Sequence, residues 1–190
     1  MSNRNTKLWL GFLMLVIPAL QAQVVKVPAD IQMRLMVKIL AYERDHRFDS
    51  DNFTNVVVLY HSKVSGSVAA KDAVINAHTQ SPLKVNRAII RFIPIDISTV
   101  GDIGEELHRQ GARVVYLTPM RGVNIGAIIN ACRAQSILSV SGVYDFAQFG
   151  ATISFDLLDN KPKFIINTTS AKLEQVVFSS DLLKLATVIE

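Results

Sequence analysis

The chain has 190 residues, of which 49% are hydrophobic and 19% are charged. This composition excludes an intrinsically disordered protein, and the length suits one domain with its own core. Basic and acidic residues are interspersed without a long basic run, which argues against a nucleic-acid-binding protein.

The N-terminus predicts a secretory signal peptide over residues 1–22. Arg4 and Lys7 precede an apolar run of 13 residues, Leu8–Leu20, which is shorter than the roughly 20 residues that a membrane-spanning helix needs. Ala22 marks the expected cleavage site, and an uncleaved anchor is the alternative. The expected domain then covers residues 23–190. Its net charge is +2, because the signal holds two of the 20 basic residues and none of the 16 acidic ones.

Beyond the signal, the apolar periodicity alternates between that of helices and that of strands. Asp30 is the expected N-cap of the first helix, Ser98 or Thr99 of a middle helix, and Ser179 or Ser180 of the last. The predicted elements are helix 30–48, strand 55–60, helix 65–78, strand 87–95, helix 98–111, strand 113–119, helix 122–135, strand 137–142, a hairpin of 151–158 and 163–169, and helix 178–189.

Strands that alternate with crossover helices predict a parallel sheet with helices on both faces. After residue 142 the pattern changes, because the turn sequence 159–162 joins two strands into a hairpin. The predicted fold class is therefore α/β: a single-domain three-layer sandwich with a mostly parallel sheet and a C-terminal antiparallel hairpin.

No residue pattern typical of covalent catalysis is found. Cys132 is the only cysteine, so it cannot form an intramolecular disulfide, and we interpret it as a buried structural thiol. Ser141 stands at a strand end, where an α/β-hydrolase carries its nucleophile. However, Ser139 and Val143 occupy the positions of the two glycines in G-x-S-x-G, and a hairpin follows instead of a helix. We therefore interpret Ser141-Gly142 as a turn.

The histidines show no metal-binding pattern. They lie at positions 46, 61, 78 and 108, without the spacing that places two ligands on one helix face. Only His61 follows a strand, near the place where α/β sheets bind ligands. The sequence therefore predicts no catalytic residue, no metal and no cofactor, and we expect a protein that is not an enzyme.

One stretch is a candidate for binding a small ligand. In "VLYHSKVSGSVAAKDAV" (58–74), a strand leads into a Ser/Gly loop at a helix N-terminus, which is a place where phosphate groups bind. The loop is similar to the flavin-phosphate loop of flavodoxins, with Ser62, Ser65 and Ser67 as candidate donors. The alternative is that these serines only cap the helix.

The C-terminal third resembles the YfiR/HmsC-like family of bacterial periplasmic repressors over residues 137–188. The shared features are an "-SVS-" strand end, an aromatic connection, a glycine that opens a strand, an "-F-IN---A" strand and a closing "-SS-LL-LA-V" helix. The residues that carry the resemblance are Ser139, Val140, Ser141, Phe146, Gly150, Ile153, Phe155, Phe164, Ile166, Asn167, Ala171, Ser179, Ser180, Leu182, Leu183, Leu185 and Ala186.

The resemblance implies a non-enzymatic function in the periplasm. It implies a repressor that binds the periplasmic domain of an inner-membrane diguanylate cyclase and so keeps cyclic-di-GMP synthesis and biofilm formation low. A protein linked to the outer membrane is the expected sequestering partner, and a homodimer is compatible with the sequence. On this interpretation Tyr144, Phe146 and Phe149 are candidate partner contacts, and the alternative is that they pack inward under the hairpin.

Two departures from the family pattern stand out. The first helix carries "VKILAYERDHRF" where members have an aromatic motif that ends in W-P, and Cys132 is single where members often have disulfides. The opening helix therefore presents a different surface to a partner.

Overall fold

The computed structural model describes residues 23–45, 48 and 53–190, and the predicted signal peptide and His46 lie outside them. The strands are β1 (Phe53–Tyr60), β2 (Lys84–Val85), β3 (Ala88–Asp96), β4 (Val114–Leu117), β5 (Leu138–Ser141), β6 (Ile153–Leu158), β7 (Lys161–Asn167) and β8 (Thr187–Ile189). The helices are α1 (Ala29–Ala41), α2 (Ser65–Gln80), α3 (Ile103–Arg109), α4 (Ile125–Ala134), α5 (Thr168–Leu173) and α6 (Ser180–Leu185). Two 3₁₀ turns cover Ile97–Thr99 and Tyr144–Ala147.

The strands form one eight-stranded sheet in the order β2-β3-β1-β4-β5-β6-β7-β8. The run β3-β1-β4-β5-β6 is parallel, β6 and β7 form the antiparallel hairpin, and β8 returns parallel to β7. The predicted fold class, α/β with a mostly parallel sheet and a C-terminal hairpin, is confirmed.

Two apolar cores lie on the two faces of the sheet. Alternate residues of the central strands point to opposite faces, and the valine-rich segment Val56–Leu59 of β1 is buried on both. One core contains Val56 and Val58 with residues from α1, α2 and α6. The other contains Val57 and Leu59 with residues from α3 and α4, including the fully buried thiol Cys132.

Side chains define where several helices begin. Ser179 accepts a hydrogen bond from the N–H of Leu182, which confirms it as the cap of α6. The predictions for two other caps were wrong. Helix α1 begins at Ala29 after Pro28, so Asp30 lies inside its first turn. Asp102, not Ser98 or Thr99, caps α3, because the 3₁₀ turn Ile97–Thr99 ends before that helix starts.

The C-terminal region differs from its prediction in two places. Strand β7 ends at Asn167, whose side chain accepts a hydrogen bond from the N–H of Ser170 and starts the short helix α5. The last predicted helix, 178–189, ends at Leu185, because Ala186 takes an extended conformation and β8 follows. The β-branched run Thr187–Ile189 favours a strand over a helix.

The segment 23–28 crosses the carboxyl end of the sheet before α1 begins. Val25 forms a β-bridge with Val143, and the Lys26 ammonium lies 2.8 Å from a carboxylate oxygen of Asp156. At the start of α1, the Gln32 amide donates to the Val27 carbonyl (2.6 Å). In the described part of the chain, no helix is long and apolar enough to cross a membrane.

Candidate functional site

The parallel strands create a crevice between β1 and β4. Beyond β1 the chain first adds β3 on one side and then β4 on the other, so the strand order reverses at this point. In doubly wound sheets, ligands bind outside the carboxyl ends of the strands at such a reversal. The loops 61–64 and 118–124 leave the sheet here, and the predicted serine loop therefore lies at this crevice.

Ser67 is used inside the fold. It is fully buried, and its hydroxyl accepts a hydrogen bond from the N–H of His61 (2.8 Å). The same hydroxyl lies 2.6 Å from the hydroxyl of Thr118, which donates to the carbonyl of Leu59 (2.8 Å). Because the Thr118 proton is committed to Leu59, Ser67 donates to Thr118. Ser67 therefore ties the two loops of the crevice together and has no donor left for a ligand.

Ser62 faces a carboxylate. Its N–H donates to Asp96 Oδ1 (3.2 Å), and the N–H and hydroxyl of Ser98 donate to the same oxygen (3.0 and 2.9 Å). Burial raises the pKa of Asp96, but these hydrogen bonds outweigh it and hold the pKa well below its ordinary value. Asp96 is therefore negatively charged at neutral pH and opposes an anion next to Ser62.

Of the three serines predicted to bind an anion, Ser65 is the one that lines a cavity. It borders a cavity of about 480 Å³, together with Lys63, Gly66 and Arg121. The N–H groups of Ser65 and Gly66 begin α2 and have no hydrogen-bond partner in the described part of the chain, and no side chain caps this helix. Two cationic side chains and two unpaired N–H groups make this part of the crevice electropositive.

Ser141 supports the corner that follows β5. It is fully buried, its hydroxyl donates to the carbonyl of Leu117 (2.9 Å), and it accepts from the N–H of Val143 (3.0 Å). These bonds use the hydroxyl to fix the bend at Gly142. The structure therefore gives Ser141 a structural role, as its sequence context predicts.

The three aromatic residues of the corner have different environments. Phe146 is fully buried in the core beside α4, so it cannot contact a partner. Phe149 is 62% exposed and packs edge-to-face on Phe146, with ring centres 6.3 Å apart. Tyr144 is half-buried, with the Lys26 ammonium 5.2 Å from the centre of its ring. Of the predicted contacts, Phe149 and Tyr144 are available at the surface.

The three histidines in the described part of the chain do not come together. His61 Nδ1 accepts from the N–H of Lys63 (3.2 Å), and His78 packs edge-to-face on Phe92. Burial lowers the pKa of His78. His108 lines a cavity beside Phe53, at the amino end of β1, whereas His61 follows the carboxyl end of that strand. Residues 23–45, 48 and 53–190 contain no group of three or more histidine, cysteine or acidic side chains that could hold a metal ion.

Sequence reasoning missed a buried carboxylate, Glu174, at the end of α5. It is fully buried beside Ser139 and Thr152, which precede the first residues that pair between β5 and β6, Val140 and Ile153. Its carboxylate accepts from the N–H of Ser139 (2.9 Å), the hydroxyl of Ser139 (2.5 Å) and the hydroxyl of Thr152 (2.6 Å). In sequence, Glu174 looks like any exposed helical glutamate, because only the tertiary fold brings it to these strands.

The sequence profile of the YfiR/HmsC-like family matches residues 76–187, which is more than half of the chain. The chain belongs to the YfiR/HmsC-like family. This family supports a regulatory role in general. No curated protein matches the chain in sequence.

Similar solved structures share the α/β fold of this YfiR/HmsC-like chain. A conserved domain protein from Vibrio cholerae O1 biovar El Tor is 12% identical, with a TM-score of 0.58 over 86% of this chain and 60% of that chain. An ABC domain in complex with L-Trp from Streptococcus pneumonia is 12% identical, with a TM-score of 0.59 over 85% and 62%. A ligand-free, open substrate-binding protein with adhesive properties from Clostridium difficile is 10% identical, with a TM-score of 0.58 over 86% and 60%. The chain thus spans about 60% of the length of the first of these proteins.

Several residues of the YfiR/HmsC-like pattern have structural roles. Asn167 caps α5 and also donates from its amide to the carbonyl of Ala147 (3.1 Å). Gly150 adopts a φ of 98°, and a Cβ at this position would lie 2.7 Å from the guanidinium of Arg133. Ser139, near the start of β5, donates to Glu174, and Ser141, at its end, donates to the carbonyl of Leu117 in β4. These residues of the pattern therefore support the corner and the sheet around it.

Proposed function

We propose that this protein is a non-enzymatic regulator of the periplasm, which represses an inner-membrane diguanylate cyclase by binding its periplasmic domain. The observation that carries the proposal is the YfiR/HmsC-like profile match over residues 76–187. Residues 1–22 would act as the cleaved signal peptide, and an outer-membrane-linked protein would sequester the repressor.

Repression of this kind needs no catalytic group. The regulator must only bind the inactive conformation of the cyclase more tightly than the active one. A tenfold preference corresponds to about 1.4 kcal/mol. One well-packed aromatic contact reaches this magnitude, because truncating a hot-spot residue to alanine costs about 2 kcal/mol or more of binding free energy.

The corner after β5 is the surface we assign to the cyclase. Phe149 is an exposed aromatic on a rigid support, since it packs on buried Phe146 and follows a 3₁₀ turn. Tyr144 begins the same 3₁₀ turn and carries the Lys26 ammonium over its ring. Well-supported aromatic side chains, tyrosine among them, are common at binding hot spots.

Replacing Phe149 with aspartate should reduce the amount of cyclase that is crosslinked to the regulator at least tenfold, because a carboxylate cannot fill an apolar pocket on the partner. The measurement is envelope crosslinking of the tagged protein in its own cell, followed by mass spectrometry. Cyclic-di-GMP should rise in the same cells.

The matched control is Leu158→Asp. Leu158 is 57% exposed at the end of β6, so both substitutions place a charge at an exposed apolar site. Leu158→Asp should leave the crosslinked cyclase unchanged. Recovery of no cyclase with the wild-type chain would refute the proposed function, and equal loss in both variants would refute the assignment of the corner.

A second candidate function is binding of a small phosphorylated ligand such as a flavin nucleotide. The observation that favours it is the electropositive cavity beside Ser65, with Lys63 and Arg121 on its two loops. A phosphate there would accept hydrogen bonds from the free N–H groups of α2.

The double substitution Lys63→Glu and Arg121→Glu should weaken binding of FMN to the purified protein at least tenfold, because it replaces two attractive charges by two repulsive ones. Titration followed by flavin fluorescence measures this. The control is Lys161→Glu with Lys172→Glu, which makes the same change of charge at two exposed positions near the β8 edge of the sheet. These substitutions should leave FMN binding unchanged. If wild-type protein binds neither FMN nor inorganic phosphate, this second function is excluded.

A further inference from the structure

Among residues 23–45, 48 and 53–190, no helix covers the amino ends of β1 and β3 on the face of the sheet that carries α3 and α4. Parallel sheets are normally covered on both faces. On the face that carries α3 and α4, β3 lies beyond β1 toward the edge, and α3 is only seven residues long. Phe53 of β1 and Ile89 of β3 are direct neighbours in register, and they are 45% and 38% exposed. Two apolar side chains therefore stand together in solvent.

Cations flank this apolar pair on the same face. Lys84 of β2 is the register partner of Ile89, on the side away from Phe53. Arg91 follows Ile89 by two residues, and its guanidinium lies 4.2 Å from the centre of the Phe53 ring. Neither Lys84 nor Arg91 forms an ion pair with another described residue. We call Phe53, Lys84, Ile89 and Arg91 the bare face.

A cavity adjoins the bare face. It has a volume of about 630 Å³ and runs from Phe53 to the C-terminal end of α3, where Leu107, His108 and Gly111 line it. This volume lies within the range of roughly 300–1,000 Å³ that is typical of binding pockets. The cavity therefore gives the bare face depth, so that a bulky side chain of a partner can enter beside Phe53.

We infer that the bare face is a docking surface for an acidic amphipathic segment of a partner protein. Apolar side chains of the segment would pack on Phe53 and Ile89, and one would enter the cavity. Carboxylates on its flanks would pair with Lys84 and Arg91, which have no acidic partner in the described part of the chain. Charge complementarity selects an acidic segment, and the exposed apolar pair selects an amphipathic one.

This surface is separate from the corner assigned to the cyclase. Phe53 and Ile89 lie at the amino ends of their strands, whereas the corner follows the carboxyl end of β5. Because β1, β3 and β5 run parallel, their amino ends lie at one end of the molecule and their carboxyl ends at the other. The inference therefore does not depend on the proposed function, and a chain with both surfaces can hold two partners at once.

The test is site-specific photocrosslinking from Ile89 in the full chain, in its own cell, with sequencing of the crosslinked segment. The expected result is an adduct with a protein segment that carries both carboxylates and large apolar residues. Lys84→Glu with Arg91→Glu should reduce this adduct at least tenfold, and Lys84→Gln with Arg91→Gln should reduce it by a smaller factor. Lys161→Glu with Lys172→Glu should leave it unchanged. Thermal melting of each purified variant checks that it folds.

Four outcomes would overturn the inference: no adduct, an adduct with a second copy of this chain, an adduct with lipid, or an adduct that is insensitive to charge reversal. Phe149→Asp, which tests the corner, should not change the Ile89 adduct. Failure of the bare face and failure of the proposed cyclase contact are therefore distinguishable.

Discussion

Replacing Glu174 with alanine should lower the free energy of unfolding by about 3 kcal/mol at neutral pH. The substitution leaves three buried donors without an acceptor: the N–H and hydroxyl of Ser139 and the hydroxyl of Thr152. Each buried unpaired donor costs about 1–3 kcal/mol, and relief from burying a charge offsets part of the sum. Urea denaturation measures the effect.

The same carboxylate should make stability depend on pH. Burial raises the pKa of Glu174 from 4.5 to about 6, although hydrogen bonds from Ser139 and Thr152 and the charge of Arg133 oppose the rise. The folded state therefore binds the proton more tightly than the unfolded state. The free energy of unfolding should fall by about 2 kcal/mol as the pH rises from 4.5 through 6, and this contribution is fully present below 4.5.

Glu174→Gln separates these two effects. The amide keeps the shape of the side chain and can bond both strands, but it does not titrate in this range. The variant should lose the pH-dependent part of stability between pH 4.5 and about 6 while staying folded. Glu105→Gln is the control, since Glu105 is exposed on α3. An identical pH dependence in wild type and Glu174→Gln would contradict the assignment.

Replacing Gly142 with alanine should lower the free energy of unfolding by about 3 kcal/mol. An alanine Cβ would lie 2.4 Å from the hydroxyl of Tyr116 and 2.7 Å from Oε1 of Gln32, and all three residues lie where α1 meets the sheet. Tyr116 donates to Gln32, and Gln32 donates to the carbonyl of Val27. The added methyl group must displace this buried chain of hydrogen bonds, which fixes segment 23–28.

Gly66→Ala is the matched control for Gly142→Ala. Gly66 lies in the first turn of α2 with no atom within 4 Å of an added Cβ, so alanine should stabilise the protein by up to about 1 kcal/mol. Thermal melting of both variants gives the comparison. If Gly142→Ala melts at the same temperature as wild type, the contact at this bend is not as tight as the structure shows.

Local patterns predicted the central part of the fold well. The valine-rich segment Val56–Leu59 of β1 and the neighbouring strand β4 are buried on both faces, and such strands have an unmistakable composition. Because these strands alternate along the chain with amphipathic helices, the sequence predicts a parallel sheet. The C-terminal predictions failed where the structure depends on distant partners. Residues 187–189 continue the apolar run of α6, and only pairing with β7 makes them a strand.

The candidate site was predicted less well than the fold. The sequence located the loop after β1, but the hydroxyl of Ser67 is used by Thr118, 51 residues further along the chain. Likewise, the separation of Phe149 at the surface from Phe146 in the core depends on a 3₁₀ turn that periodicity does not reveal. Contacts between residues far apart in sequence decide which polar groups remain free, and no local pattern contains them.

The burial of Cys132 gives the chain a built-in chemical marker of its folded state. The thiol lies on the buried face of α4, and burial raises its pKa far above the ordinary value, with the nearby charge of Glu174 adding to the rise. Alkylating reagents attack thiolates, so the folded chain is protected from them. The chain has no second cysteine, and each labelled molecule therefore records one opening of the α4 side of the core.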